Sequence, residues 1–81
     1  MEKIVEVKPK NDYSVFIRFA DGFSAIIDIS PFIRGGISDQ LKDITYFNEV
    51  FIDQFNGISW ANGFDFCPNF LREYVGKQEK A

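Results

Sequence analysis

No histidine occurs in this chain, so the one side chain that ordinarily changes charge near neutral pH is missing, and with it the commonest general base and metal ligand. A single cysteine, Cys67, rules out an internal disulfide. No apolar run approaches the ~20 residues of a membrane-spanning helix, so no membrane association is expected. Positive charge is scarce as well: nine Lys and Arg stand against twelve Asp and Glu, a formal net charge of -3. That balance lacks the basic footprint of nucleic-acid binding, and direct contact with DNA or RNA is not expected. The opening residues show no basic stretch followed by an apolar one; no secretory signal is read, and a cytoplasmic location is expected.

What the chain has is apolar surface. Hydrophobic residues make up 46% of the 81, and ten are Phe, a side chain that buries on the order of 150–250 Å². A chain this short buries only ~60% of the surface it exposes unfolded. Cores of this size rarely supply more than ~3–5 kcal/mol net, a shortage that self-association would relieve. A single α+β domain over residues 1–76 is expected, with 77–81 as a frayed tail.

Residues 3–9 alternate weakly, with Val5 and Val7 opposite Glu6 and Lys8, and a turn cluster follows from Pro9 to Asp12. Over 13–19, Tyr13, Val15, Ile17 and Phe19 share a face opposite Ser14, Phe16 and Arg18; over 23–29, Phe23, Ala25, Ile27 and Ile29 oppose Ser24, Ile26 and Asp28. Parity chooses the connection. A two-residue Asp21-Gly22 loop would send the two apolar rows to opposite faces, whereas a three-residue loop Ala20-Asp21-Gly22 pairs Phe19 with Phe23 and keeps them together. Such a loop carries a G1 bulge, which demands φ > 0 at Gly22.

Pro31, Gly35 and Gly36 mark a loop. Leu41, Ile44 and Phe47 then recur at helical spacing, with Asp43 placed to cap a short helix over 44–48. Strands over 50–55 and 58–60 flank Asn56-Gly57, which predicts a type I′ hairpin with Phe55 opposite Ile58 and Asp53 opposite Trp60. Phe51, Phe55, Ile58 and Trp60 would then share an apolar face with Asp53. Asn62-Gly63 makes a further turn before Phe64-Asp65-Phe66. A helix starts at Pro68, gathers Phe70, Leu71, Tyr74 and Val75 on one face, points Arg72 and Glu73 outward, and stops at Gly76. The element order is β-β-β-α-β-β-α: small antiparallel sheets, a three-stranded meander plus a hairpin, with a short middle helix and a C-terminal helix.

Three groupings are candidates for chemistry. Trp60, Asp53 and Asp65 would form a ligand notch if the indole offered a stacking face and the carboxylates an anionic edge. The structural alternative gives Asp65 the start of the last helix, accepting its N–H groups. Asp28, Asp43, Asp53 and Asp65 have no short spacing linking them, and Asp at caps and turns is the ordinary use, so no metal site is read. Cys67, flanked by Phe66 and Pro68 and lacking a histidine base, reads as a small packed residue rather than a nucleophile. The third grouping is Phe16 and Ile26 with Arg18, on the outer face of the first hairpin. Two large apolar side chains there need a cover, either the terminal helix or another protein.

The order and spacing of several pieces resemble the domain of unknown function 2442 family of small bacterial proteins. They are Phe19-Ala20-Asp21-Gly22, Asp28-Ile29-Ser30-Pro31-Phe32, Leu41 with Asp43 and Phe47, and Trp60-Ala61-Asn62-Gly63-Phe64-Asp65 with Pro68 and Leu71. Ala61 stands where that family often has proline, and Asn69 where it commonly has an acid. The resemblance implies an α+β fold, association in some members with a helix-turn-helix domain, and gene pairing of toxin–antitoxin type with a second small protein. It implies no active site. The expectation is therefore a noncatalytic interaction module without cofactor, partnered by another protein or by itself. The alternative is a small-molecule or metal-binding domain centred on Trp60, Asp53 and Asp65.

Overall fold

The computed structural model describes residues 2–79, with the side chains of 2–77. β1 (Ile4–Pro9), β2 (Ser14–Phe19) and β3 (Ser24–Asp28) form an antiparallel meander in that order. After two 3₁₀ segments (Ser30–Phe32, Gly36–Lys42) and the short helix α1 (Ile44–Phe47) comes a second antiparallel meander. It consists of β4 (Phe51–Ile52), β5 (Ile58–Ser59) and β6 (Asp65–Phe66), and the C-terminal helix α2 (Pro68–Glu79) follows it. The architecture is α+β in the expected order, and Phe64-Asp65-Phe66 supplies a third strand that turns the expected hairpin into a second meander.

The first turn forms as parity requires. Phe19 N–H donates to Phe23 O at 2.7 Å, Gly22 N–H to Phe19 O at 2.9 Å, and Gly22 has φ 94. The rows stay together: Ile17 pairs with Ala25 and Val15 with Ile27, and Val15, Ile17, Phe19 and Ile27 are buried. Tyr13 lies just before β2 rather than in it, at φ 66, a region a bulky residue rarely enters. Its ring meets Phe47 edge-on at 5.5 Å and its hydroxyl donates to Lys42 O, two contacts that hold it there.

The second turn is not type I′. Asp53 N–H donates to Gly57 O (3.0 Å) and Asn56 N–H to Asp53 O (3.0 Å), which leaves a three-residue loop with Asn56, not Gly57, in the left-handed region at φ 67. Its Asp53 carboxylate accepts from Phe55 N–H (2.9 Å) and Gly57 N–H (3.1 Å) and so closes the turn from within. Gly57 is required for space. A Cβ there would stand 2.2 Å from Phe66 O and 3.0 Å from Pro68 Cδ. The register moves accordingly: Phe51 pairs with Ser59 and Ile52 with Ile58, and Asp53 does not oppose Trp60. Since this shift changes parity, the faces exchange. Ile58 and Trp60 turn into the core with Ile52 beside them, while Phe51 and Phe55 remain exposed.

The third turn repeats the first. Trp60 N–H donates to Phe64 O (2.9 Å), Gly63 N–H to Trp60 O (3.0 Å), and Gly63 has φ 96. In both turns the middle residue caps the chain two residues on, Asp21 Oδ1 accepting from Phe23 N–H and Asn62 Oδ1 from Phe64 N–H. The sequence carries this as a repeat, Phe-Ala-Asp-Gly-Phe at 19–23 and Trp-Ala-Asn-Gly-Phe at 60–64.

One core joins both sheets, running from Ile4, Ile17 and Phe19 through Leu41, Phe47 and Trp60 to Leu71 and Val75 of α2. The Trp60 indole N–H donates to Phe47 O at 2.9 Å, and Ile4 N–H to Asn56 O at 2.9 Å, so each meander is tied to the chain around the other. Asp43 caps α1 by accepting from Thr45 N–H at 3.0 Å, as expected. Helix α2 runs through Gly76 to Glu79 rather than stopping at Gly76, so Lys77 to Glu79 are helical; residues 80 and 81 of the expected frayed tail lie outside the described residues. Nothing at Gly76 calls for a left-handed cap, and its flank is open.

Candidate functional site

The three residues of the expected ligand notch find separate environments. Trp60 is 1% exposed and its ring packs on Phe47, Phe64 and Phe66 at 5.6, 5.8 and 6.2 Å, so the indole is a core anchor with no open face. Asp53 is engaged by its own turn, where the Ser59 hydroxyl joins the Phe55 and Gly57 amides on its carboxylate. Partial burial pushes that carboxyl up, but these three donors outweigh it and hold it below the usual carboxylate range. Asp65 is exposed opposite Ser59; among the described residues its carboxylate accepts no N–H of α2, so the expected capping role is not taken. Asp53 and Asp65 do flank a half-open cleft of about 550 Å³, which Phe55, Cys67 and Pro68 also line. Cys67 is exposed there rather than packed, because the helix starts one residue later and turns the thiol out of the core.

The remaining acids have local duties. Asp28 accepts from Ser30 N–H and Oγ–H, Asp12 from Ser14 N–H, and Asp43 caps α1. No cluster of three or more Cys, Asp or Glu able to hold a metal ion occurs among the described residues. No buried side-chain polar atom there lacks a hydrogen-bond partner.

The outer face of the first sheet is different. Across it, β1, β2 and β3 bring Lys8, Phe16 and Ile26 into one row and Glu6, Arg18 and Ser24 into the next. Ile26 is 56% exposed and Phe16 half-buried, and they are cross-strand partners. Arg18 lies over the Phe16 ring at 5.6 Å and reaches Glu6 at 2.8 Å, while Lys8 meets the same carboxylate at 3.2 Å. Lys8 first, and Arg18 with it, hold the Glu6 carboxyl below its ordinary value.

Helix α2 leaves this face open because it packs on the other side. Leu71 and Val75 enter the core, and Phe70 and Tyr74 join Phe32 and Phe66 in a run of ring contacts. Arg72, expected to point outward, instead lies over the Phe23 and Phe19 rings at 4.3 and 5.0 Å and pairs with Asp21 and Glu2, both at 3.1 Å. Helical spacing alone places Arg72 off the apolar stripe; the signal for its position is the aromatic pair flanking Asp21.

These features define a small α+β domain of two meanders whose most apolar exposed strand pair lies on the open face of its first sheet. The chain belongs to the family described as protein of unknown function (DUF2442), whose model matches residues 4–76. No curated protein and no solved structure matches it. No helix among the described residues is long and apolar enough to cross a membrane.

Proposed function

We propose that this protein is a noncatalytic interaction module that binds another protein through the outer face of its first sheet, centred on Phe16, Ile26 and Arg18. The carrying observation is that α2 packs on the opposite side, leaving the Phe16–Ile26 pair open on the outer face, between the central strand and the β3 edge. An uncovered apolar pair flanked by an Arg is the composition of a binding surface more than of a solvated one. The family resemblance supports the more specific reading of an antitoxin-like or regulatory partner of a second small bacterial protein. Coexpression with the neighbouring gene's product tests it. The tagged wild-type chain retains that product and Ile26→Lys loses it with the far-UV spectrum unchanged; equal retention by both chains refutes the surface assignment.

A small-molecule site at Trp60, Asp53 and Asp65 has the cleft in its favour. Against it stand the buried indole and the turn amides already on Asp53.

A further inference from the structure

The two edges of the first sheet are treated differently. On β1, the strand is bulged between Ile4 and Glu6, Pro9 offers no N–H, and Ile4 N–H is already given to Asn56 O. Bulges, prolines and covering chain are the devices that keep an edge from pairing with another molecule. On β3 none of them is present. Hydrogen-bonded pairs at Phe19/Phe23 and Tyr13/Ile29 set the alternation, so Ala25 and Ile27 face β2 and the backbone groups of Ser24, Ile26 and Asp28 point away from the sheet. Among the described residues those outward groups meet no hydrogen-bond partner.

We propose that a second copy of this chain pairs antiparallel with β3 about a twofold axis at Ile26, an inference that rests on the outer face being a protein-binding surface and extends that surface to its β3 edge. The strand is complementary to itself in that register. Ile26 meets Ile26 of the other copy, and Ser24 meets Asp28, each pair exchanging two backbone hydrogen bonds. The apolar row becomes continuous, Lys8–Phe16–Ile26 running into Ile26–Phe16–Lys8. The next row reads Glu6, Arg18, Ser24, then Asp28 of the other copy, so charges alternate across the junction. An axis at Asp28 would oppose two carboxylates, and one at Ser24 would leave both Ile26 side chains without an apolar partner; only the Ile26 axis satisfies both groups. A C2 pairing of this kind closes on itself and makes a dimer, not a fibre. A five-residue edge is small beside the roughly 1,600 Å² of a standard interface, so the dimer is expected to be weak and to depend on concentration.

Sedimentation and cysteine crosslinking test it in the full chain. The wild type is expected to sediment as a concentration-dependent dimer. In a Cys67→Ser background, Ile26→Cys is joined to its own copy by a short thiol-to-thiol crosslinker, since hydrogen-bonded partners lie about 5.5 Å apart at Cα. Ser24→Cys is not, because its own copy stands about 14 Å away. Ile26→Pro removes the outward N–H and the apolar side chain without breaking a hydrogen bond to β2, and yields a folded monomer; should it fail to fold, Ile26→Lys gives the same readout through charge repulsion. A wild type that is monomeric up to millimolar concentration overturns the pairing, as does a dimer that crosslinks equally through Ser24 and Ile26. If that monomer still loses the neighbouring gene's product on Ile26→Lys, the second copy is wrong and the binding face stands. If a dimer crosslinks through Ile26 but the product is retained by Ile26→Lys, the pairing stands and the hetero-partner reading fails.

Discussion

Arg72 joins three parts of the chain at once: the turn after β2 through Asp21, the N-terminal segment through Glu2, and the Phe19 and Phe23 rings beneath its guanidinium. A planar group can stack and form a two-pronged pair together; an ammonium cannot. Arg72→Ala is expected to lower stability by about 1–2 kcal/mol in urea titration, with Arg72→Lys recovering less than half. Asp53 acts through pH. Its carboxyl is held below the ordinary range despite partial burial, by the Ser59 hydroxyl and the Phe55 and Gly57 amides. The folded state therefore favours the ionised form, so its contribution is present above the unfolded carboxyl pKa and lost as pH falls through the lowered folded value. Asp53→Asn should cost about 1 kcal/mol at neutral pH. Urea midpoints of the two proteins should converge as the medium is acidified; a gap that stays constant with pH would remove the electrostatic part of this explanation.

At the scale of elements, three turns share one geometry and were not equally readable. The first was legible because both strands carry unbroken apolar rows, and only an odd-length loop keeps those rows on one side. In the second, Phe51 and Phe55 look like core residues yet are 45% and 69% exposed, so hydrophobicity there pointed to the wrong parity. Asn56-Gly57 added a strong hairpin signal whose two residues serve other ends, a left-handed turn residue and a gap beneath Phe66 O. The same logic separates two glycines. Gly57→Ala forces backbone movement and should cost more than about 2 kcal/mol or prevent folding. Gly76→Ala, in an α-helix with open space around it, should add about 0.5–1 kcal/mol. Thermal denaturation of the pair checks both, and a neutral Gly57→Ala would mean that β5 does not approach β6 as closely as described.

For the molecule as a whole, the α+β order and the apolar inner rows were readable because they are local and periodic. The placement of α2 was not, since a helix stripe says that something is buried without saying which face of which sheet receives it. Aromatic contacts decide it: Phe32, held beside Pro31, meets Phe66, Phe70 and Tyr74 at 5.1, 6.0 and 5.3 Å and draws the helix away from the Phe16–Ile26 pair. Core and surface are thus divided by the first sheet, one face closed by the protein itself and one left open. Amide hydrogen exchange at two neighbouring residues measures this division directly. The Ile27 N–H, bonded within the sheet, should be protected at every protein concentration, whereas the Ile26 N–H should exchange freely in dilute solution and slow as the protein is concentrated or mixed with its partner. An Ile26 amide that stays unprotected under both conditions would contradict the assignment of this face and edge as the binding surface.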